Sequence, residues 1–400
     1  MQIKKAFKYE LILKGAHIRK MKQFCGCARF VFNKALAWQN EQYKADNSFK
    51  FSYTKIANLL PKWKEEFDWL GQCHSQVLQQ SLKDLESSFR NFFRKQSDFP
   101  KFKKKGLRDS FRFPQGVKLD ENNSRLYLPK IGWVRYRNSR AVVGTIKNVT
   151  ISQKCGKWYA SLQTEFDIEN PVPSGSEVGI DMGIARFATL SDGTYFDPIN
   201  SFKNYKQQLA KLQRQMSHKV KFSRNWLKAK SKISKLHSCI ANTRRDYLHK
   251  ISTQISQNHA IVYVEDLKVS NMSKSVKGNS EHHGKMVKQK SGLNRSILDQ
   301  SWFEFRRQLD YKLLWHGSHL VSVDPKNTSR TCPVCGHISK DNRQSQAHFE
   351  CMECGFASNA DEVGAINILR AGRAQLACEV NDAVMSSAAG TLRGELAACS

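Results

Sequence analysis

Two cysteine pairs near the carboxyl end constrain the fold of this chain more than any other feature. Cys332 and Cys335 form one Cys-x2-Cys pair, Cys351 and Cys354 form a second, and 15 residues separate the two pairs. A glycine follows each pair directly, where a backbone that turns beside a metal needs conformational freedom. This spacing is typical of a four-thiolate zinc ribbon. Four thiolates leave no coordination position for water, so the predicted Zn²⁺ is structural.

The net charge predicts a polyanionic partner. Lys and Arg number 65 against 35 Asp and Glu, which gives a formal charge of +30. A folded chain with this charge repels itself unless a polyanion such as nucleic acid binds it. Hydrophobic residues make up 40% of the chain, with 23 Phe and 8 Trp, which argues against a mostly disordered basic protein.

Membrane and secreted classes are not expected. No apolar run approaches the roughly 18–20 residues that a membrane span needs. The first residues lack the long apolar segment of a secretory signal. We therefore expect a cytoplasmic protein.

Hydrophobic periodicity predicts an all-β part that a helical segment interrupts. The first dozen residues indicate a strand, and apolar residues then recur at helical spacing. A period of two follows over residues 117–168, where Trp158, Ala160, Leu162 and Phe166 share one face of a strand. These short strands favour a small antiparallel barrel. The segment between Phe99 and Phe113 is a basic loop, whose phenylalanines could stack on bases or anchor the loop to the core.

After a Pro- and Gly-containing boundary at 171–175, the pattern is typical of an α/β domain. A strand meander with a hairpin turn at Asp192-Gly193 opens it. Helices over 201–257 carry 14 Lys and Arg against one acid, Asp246. The remaining predictions, in order, are a strand at 260–265, a mobile Ser/Gly/Lys-rich stretch at 268–296, a helix at 297–315, a strand at 319–323, the ribbon, and a helix at 361–370.

Three acids in this second part predict a metal-dependent nuclease of the ribonuclease H type. Asp181 and Glu265 each close a predicted strand, and Asp361 begins a helix. Three converging carboxylates repel one another unless metal neutralises them. Two Mg²⁺ ions about 3.5–4 Å apart would support phosphodiester hydrolysis. Each acid alone also fits a solvated strand end, and Asp361 with Ser358 fits a helix capping box.

The chain resembles the TnpB family of transposon-associated RNA-guided DNA endonucleases, which are OrfB-type transposase accessory proteins. The resemblance rests on an ordered set of motifs that covers nearly the whole chain. They are GCARFVFN at 26–33, FPKFKKK at 99–105, VGIDMGIARFAT at 178–189, VYVEDL at 262–267, LNRSI at 293–297, TSRTCPVC at 328–335 and GAINI at 364–368.

The resemblance implies an α/β fold with all-β and helical parts. A wedge-type β-barrel carries a helical recognition insert, and a RuvC-like nuclease with a zinc-ribbon insertion follows. The implied boundaries are 1–15 and 110–170 for the barrel, 16–109 for the insert, 171–325 and 359–375 for the nuclease, 326–358 for the ribbon, and 376–400 for a disordered tail.

The resemblance also implies an activity, partners and a location, which is the cytoplasm and, when the protein is bound to DNA, the prokaryotic nucleoid. The activity is Mg²⁺-dependent cleavage of double-stranded DNA beside a short adjacent motif, directed by a guide RNA from the transposon end, in support of transposon maintenance. Asp181, Glu265 and Asp361 match the family's catalytic, Mg²⁺-binding triad. The chain departs from the family's Asp-Arg-Asp-x-Asn-Ala-Ala pattern, since it has NADEVGA at 359–365.

Basic residues in the loop, the helices and the ribbon are candidates for contacts with phosphates. They are Lys101, Lys103, Lys104, Lys105, Arg224, Lys228 and Arg330.

Three other functions fit this sequence less well than guided cleavage does. A nuclease-impaired RNA-guided repressor of the same architecture should have lost a triad acid, and this chain has all three. Strand-transfer transposases usually order their acids Asp, Asp, Glu, whereas the order here is Asp, Glu, Asp. A DNA-binding zinc-ribbon factor would not need an acid at each strand end.

Overall fold

The computed structural model describes residues 1–169, 171–173, 175–278 and 282–396, with side chains described as far as Glu379. The chain divides into two units, Met1–Glu169 and Asn170–Ser400. Each unit has its own β-sheet and helices, which confirms a mixed fold of α/β, all-β and helical parts. Across the described ranges, no helix combines the length and the apolar character needed to cross a membrane.

The strands of the first unit form one antiparallel sheet. They are β1 (Gln2–Ile12), β2 (Ser110–Phe113), β3 (Lys118–Asp120), β4 (Arg125–Leu128), β5 (Gly132–Tyr136), β6 (Thr145–Lys154) and β7 (Lys157–Asp167). Their order is β2-β6-β7-β1-β5-β4-β3. β1 lies in the middle and pairs with β7 from Gln2–Asp167 to Leu11–Trp158. β1 therefore pairs with strands that all come after residue 109, so about 100 residues of mainly helical chain separate it from them in sequence.

The period of two in β7 gives one buried face, as predicted. Trp158, Ala160 and Leu162 are buried, whereas Phe166 is partly exposed near the end of the strand. Among the described residues, the hydrogen-bonded order ends at β2 and β3, which form the two edges of the sheet. The antiparallel strands are thus confirmed, and closure into a barrel stays a prediction.

Helices occupy the segment between β1 and β2. They are α1 (Gly15–Ala45), α2 (Tyr53–Ala57), α3 (Leu60–Glu66), a 3₁₀ helix (Asp68–Gln72) and α4 (Ser75–Phe93). The predicted helical spacing is confirmed, because Phe24 and Val31 of α1 and Leu82 and Leu85 of α4 are all buried. These side chains share one hydrophobic core with the sheet, in which Phe113 is also buried.

The second unit contains a five-stranded mixed sheet. Its strands are β8 (Ser176–Asp181), β9 (Ala188–Leu190), β10 (Tyr195–Phe196), β11 (His259–Glu265) and β12 (His319–Val323). The order is β10-β9-β8-β11-β12. β8, β9 and β10 are antiparallel neighbours, and β11 is parallel to both β8 and β12. The predicted hairpin turn is confirmed, since Gly193 has a φ of +87° and the Leu190 N–H donates to the Thr194 carbonyl at 2.8 Å.

Helices α5 (Ser201–Ser217), α6 (Arg224–Asn258), α7 (Val269–Met272), α8 (Val287–Gln300) and α9 (Trp302–Trp315) connect these strands. The prediction of a mobile stretch at 268–296 is wrong for α7 and α8, and residues 279–281 lie outside the described residues. Lys290 and Asn294 of α8 donate to the carbonyls of Met272 and Ser273 at 2.7 and 2.9 Å, which holds α8 against the end of α7. The predicted helix at 297–315 is broken at Ser301, whose φ is +58°.

A buried carboxylate of α8 caps the start of α5. Asp299 is 6% exposed and accepts hydrogen bonds from the Ser201 hydroxyl and from the backbone N–H groups of Phe202 and Lys203. Arg244 of α6 donates to the same carboxylate at 2.6 Å. Negative charge at a helix N-terminus is stabilising, and the arginine compensates the burial of the charge. The order of helices and strands predicted from the sequence does not show that Asp299 contacts the start of α5.

The ribbon contains the hairpin of β13 (His348–Glu350) and β14 (Ala357–Asn359), and α10 (Ala360–Leu396) follows it. α10 extends well past Arg370, where the sequence predicted its end. The backbone of 376–396 is helical, and the expectation of a disordered tail at 376–400 stays a prediction. The segment is rich in alanine and has no proline, which explains its helical preference. Residues 397–400 lie outside the described residues.

Candidate active site and metal centre

Asp181 and Glu265 lie side by side at one edge of the second sheet. Asp181 is the last residue of β8, and Glu265 is the last residue of β11. The two strands are parallel neighbours, and Ile180 pairs with Val264 one residue before the acids. Neighbouring strands are about 4.8 Å apart, so this register brings the two carboxylates together at the carboxyl edge of the sheet.

Two further acids in the same region, Asp192 and Asp266, have partners of their own. Asp192 accepts a hydrogen bond from the Thr194 N–H at 2.8 Å and so stabilises the hairpin turn. Asp266 forms a 2.6 Å ion pair with Arg306, and its side chain is 51% exposed. Both therefore have local structural partners.

Two glycines allow α10 to bring Asp361 close to this edge. A Cβ atom on Gly179 of β8 would lie 2.2 Å from the Ala365 carbonyl oxygen, so only glycine permits this approach of helix and strand. A Cβ atom on Gly364 would lie 3.0 Å from Asp181 Oδ2. Asp361 is in the first turn of α10, and its N–H donates to the Asn359 side chain at 3.0 Å.

Asp181 is close enough to Glu265 and Asp361 for the charges of both to act on it. Burial, followed by the charges of Glu265 and Asp361, raises the pKa of Asp181 to about 7. Burial also raises the pKa of Glu265 above its usual range. The charge of Arg343 opposes both shifts, and its Nη2 lies 3.7 Å from Asp361 Oδ1. The site therefore holds more negative charge than the single facing arginine compensates.

Three residues to which the sequence assigned no role in the site contact its acids or fix their positions. The Thr328 hydroxyl donates to Glu265 Oε1 at 2.5 Å. Asn367 of α10 donates to the carbonyl of Thr328 at 2.8 Å, so the helix fixes the threonine that orients Glu265. Arg343 lies in the ribbon before β13, and no spacing in the sequence relates it to the acids. Arg330, the predicted phosphate contact, is exposed.

Glu362, next to Asp361 in sequence, has Arg186 as its ion-pair partner. Its Oε1 lies 4.0 Å from Arg186 Nη1, and the Arg186 guanidinium lies 4.1 Å from the centroid of the Tyr195 ring. The acid next to Asp361 in sequence is therefore paired with a cation outside the cluster.

The four ribbon cysteines form a compact thiolate cluster. Their sulphur atoms all lie within 4.8 Å of one another, with 3.6 Å between Cys332 and Cys354 and 3.5 Å between Cys335 and Cys351. A tetrahedral zinc site with Zn–S bonds of about 2.3 Å has S–S edges of about 3.8 Å. The observed spacing fits such an ion.

The two halves of the ribbon have the same local turn. Gly336 and Gly355, which follow the two pairs, have φ values of +77° and +70°. The N–H of each glycine donates to the carbonyl of the first cysteine of its pair at 3.0 Å. Glycine adopts this left-handed conformation without steric cost, which explains the residue after each pair.

The acidic cluster is more open than the thiolate cluster. Among the described residues, the four cysteines are the only group of three or more Cys, His, Asp or Glu whose ligand atoms all lie within 4.8 Å of one another. The oxygens of Asp181, Glu265 and Asp361 are therefore spread more widely than the donors of one tightly closed site.

The predicted basic loop presents most of its charge to solvent. Lys101, Lys104 and Lys105 are exposed. Lys103 is also exposed, but its ammonium lies 3.8 Å from the centroid of the Phe32 ring. The Lys103 backbone also exchanges two hydrogen bonds with the Asn33 side chain, at 2.8 and 3.0 Å. Lys103 therefore attaches the loop to α1.

The phenylalanines of this region separate into two groups. Phe111 and Phe113 are 4% and 0% exposed, which confirms that they anchor the segment in the core. Phe102 is 52% exposed, so its ring is accessible to a partner. On α6, the predicted contact residues Arg224 and Lys228 are exposed one turn apart.

These features define a basic, mixed α/β protein with a carboxylate cluster on a sheet edge and a separate four-thiolate cluster. A solved structure described as the Cas12f1-sgRNA-target DNA complex shares the fold. It matches with a TM-score of 0.59 and 14% identity, over 88% of this chain and 82% of that chain.

Sequence comparisons identify the family. The OrfB_IS605 family, described as "Probable transposase", matches residues 159–276, and the "Cas12f1-like, TNB domain" family matches residues 302–368. A "Helix-turn-helix domain" family of the same group matches residues 1–48, which the structure shows as β1 and α1.

Two curated relatives cover nearly the whole chain. A protein of Escherichia coli (strain K12) named "Putative RNA-guided DNA endonuclease InsQ" is 58% identical over 93% of each chain. A Streptomyces pristinaespiralis protein named "Putative RNA-guided DNA endonuclease" is 34% identical over 94% of this chain and 91% of its own length. The chain belongs to the TnpB family, also described as IS605 OrfB.

Proposed function

We propose that this protein is an RNA-guided, Mg²⁺-dependent endonuclease that cuts double-stranded DNA beside a short adjacent motif. The observation that carries the proposal is the convergence of Asp181 and Glu265 on one sheet edge, with Asp361 brought beside them by α10. The names of the two relatives support the same activity. A transposon would encode such a protein and use it for its own maintenance.

The residues present fit divalent metal. Carboxylate oxygens are the hard donors that Mg²⁺ prefers, and the wide spread of the three acids suits two ions better than one. Burial and mutual repulsion raise the pKa of Asp181 to about 7, so bound cations would stabilise its ionised form. The negative charge of the three acids is therefore only partly compensated by cationic side chains of the protein.

Divalent ions bound there would supply Lewis acidity to the scissile phosphate and an activated water for hydrolysis. The protein supplies the positions of the donors. Thr328 orients Glu265, Asn367 fixes Thr328, and the close contact of Gly364 with Asp181 sets the distance between α10 and β8. Arg343 places a positive charge beside Asp361, where it would attract the phosphate backbone of the strand to be cut.

The other parts of the chain would hold the nucleic acids. We assign 1–15 and 110–170 to a wedge-type barrel, 16–109 to its recognition insert, 171–325 with 359–375 to a RuvC-like nuclease, and 326–358 to the ribbon. The exposed lysines of the 101–105 loop and the basic α5 and α6 would track the phosphates of a guide–target heteroduplex, while base pairing supplies the sequence. Arg330 would contact the same backbone from the ribbon.

The four cysteines would hold one structural Zn²⁺. The fit of their sulphur spacing to a tetrahedron of about 3.8 Å edges supports this, as does the closed donor set. This ion would fold the ribbon and take no part in hydrolysis, because all of its positions are filled by thiolates.

Cleavage by protein produced together with its transposon-end RNA tests the proposal. Plasmids with a matched target beside randomised bases are incubated with Mg²⁺ or with EDTA, and the cut ends are sequenced. We expect Mg²⁺-dependent breaks beside one enriched motif. Asp181→Ala should abolish cutting and leave RNA and target binding intact, because it removes a metal ligand and no phosphate contact.

Glu362→Gln is the matched control, since Glu362 is adjacent to Asp361 in sequence but pairs with Arg186. It should cut as the unmodified protein does. Cutting by the Asp181→Ala protein would refute the assignment of the acids. Tight binding of target without any break by the unmodified protein would instead identify a nuclease-impaired RNA-guided repressor, with the departure at 359–363 as its cause.

A further inference from the structure

The turn between α5 and α6 forms an exposed tip in the second unit. α5 ends at Ser217 and α6 begins at Arg224. The turn is ordered by its own hydrogen bonds, because the Ser223 N–H donates to the Val220 carbonyl at 3.1 Å and the Ser223 hydroxyl accepts from the Trp226 N–H at 3.2 Å. The side chains of the tip are therefore presented on a fixed backbone.

Large apolar side chains are exposed at this tip. Val220 is 80% exposed, Phe222 is 70% exposed, and Leu227 is 50% exposed. Phe222 also has a φ of +68°, a conformation that is unfavourable for a bulky residue. Strained residues of this kind persist at functional sites more often than elsewhere. The hydrophobic core of the second unit contains none of these three side chains.

Aromatic rings and ammonium groups are interleaved at the tip. The centroids of the Phe222 and Trp226 rings are 5.4 Å apart. Lys221 Nζ lies 5.4 Å from the centroid of the Phe222 ring, and Lys230 Nζ lies 5.2 Å from that of Trp226. This arrangement offers an aromatic face with positive charges at its border.

The charge of the tip is of one sign. In the described part of the chain, no ion pair includes the five cations of this segment, which are Lys219, Lys221, Arg224, Lys228 and Lys230. Residues 201–257 contain 14 Lys and Arg and only one acid, Asp246, which pairs with Lys250 at 2.8 Å. Arg224 stands in the first turn of α6, where the helix dipole already favours an anion. A polyanion would complement this surface.

We propose that Phe222 stacks on an unpaired base of the guide RNA, while the surrounding lysines and Arg224 bind the adjacent phosphates. An exposed ring can stack only on a base that is not enclosed in a duplex, and folded RNA presents such bases in loops and bulges. Double-stranded target DNA does not present them before it is opened. The proposal rests on the proposed function, because it names the site at which one of its partners binds.

Binding of the transposon-end RNA, without DNA or Mg²⁺, tests this site. The Kd is measured for the full chain and for Phe222→Ala, Phe222→Leu and Phe222→Trp. Base–aromatic stacking is worth about 1–3 kcal/mol, so Phe222→Ala should weaken binding by about 5- to 140-fold at 1.4 kcal/mol per tenfold. Phe222→Trp should bind as the unmodified protein does, because it keeps the aromatic face.

Phe222→Leu separates stacking from apolar docking. Leucine keeps apolar area but has no aromatic face, so it should bind RNA as weakly as alanine does. RNA affinity retained by both Phe222→Leu and Phe222→Ala would overturn the proposal. An effect seen only after target DNA is added would also overturn it, since the occupant would then be the displaced DNA strand.

The proposed function is tested separately in the same preparations. Cleavage by the unmodified protein establishes or refutes the nuclease whatever the Phe222 variants bind. Normal RNA binding by Phe222→Ala in a protein that cuts would refute the stacking site alone. The melting temperature of each variant should match that of the unmodified protein, because Phe222 is 70% exposed and is not among the described side chains of the second unit's core.

Discussion

Replacing Gly179 by alanine is the change that most directly tests how the fold assembles the acidic cluster. Gly179 lies in β8, two residues before Asp181, and faces α10. The added Cβ would lie 2.2 Å from the Ala365 carbonyl oxygen, 2.6 Å from the Leu369 nitrogen and 3.0 Å from Leu369 Cβ. Two of these atoms belong to helical backbone, which cannot rotate aside as a side chain can.

The size of the effect follows from these distances. Ordinary contacts between heavy atoms are about 3.5 Å, so α10 must move by about 1 Å. Overpacking of this kind costs about 1–3 kcal/mol, which corresponds to a fall in melting temperature of roughly 2–12 °C for a unit of this size. The same displacement moves Asp361 relative to Asp181, and a misplacement of about 1 Å costs about 100-fold in rate.

Calorimetry and guided cleavage of a matched plasmid measure the two effects on the same preparation. We expect Gly179→Ala to melt at a lower temperature and to cut about 100-fold more slowly at saturating Mg²⁺, with RNA binding preserved. Gly292→Ala is the matched control, because a Cβ on this glycine of α8 would meet no atom within 4 Å. It should stabilise α8 by about 0.5–1 kcal/mol and leave cutting unchanged.

A Gly179→Ala protein that melts and cuts like the unmodified protein would refute the close packing of α10 on β8. A lower melting temperature with unchanged cutting would contradict the placement of Asp361 beside Asp181. In that case α10 would be displaced without any effect on the rate of cleavage.

Two other changes separate the acidic cluster from the ribbon. Gly364→Ala would place its Cβ 3.0 Å from Asp181 Oδ2, so we expect a folded protein with reduced cutting, and full activity would contradict the observed contact. Cys332→Ser, or removal of metal by a chelator, should release zinc and lower the melting temperature, because a structural zinc site contributes folding free energy. An unchanged melting temperature would refute the structural role, and Cys239→Ser, at an exposed thiol of α6, serves as the control.

Features that depend on neighbouring residues could be predicted from the sequence. The cysteine spacing identified the thiolate cluster, and the strand before each of Asp181 and Glu265 placed both acids at strand ends. The period of two in β7 predicted the burial of Trp158, Ala160 and Leu162, although not the partial exposure of Phe166 near the strand end. In each case the local backbone geometry fixes the positions, because residues two, three or four apart have defined directions in a turn, helix or strand.

The tertiary structure alone decided how distant segments meet. Arg343 faces Asp361, Thr328 orients Glu265, and Asp299 caps α5, although no local pattern relates any of these pairs. The helical state of α8 likewise depends on its contacts with α7 rather than on its Ser- and Lys-rich composition.

Periodicity and spacing determined what each segment of this protein could be, including a thiolate ribbon, a strand that ends in an acid and a basic helical hairpin. Only the folded chain decided which segments approach one another and how closely. The approach of α10 to β8 depends on the missing side chain of Gly179, whose importance becomes visible when Ala365 lies against it. Contacts between residues far apart in sequence depend on packing of the whole unit, which no local pattern encodes.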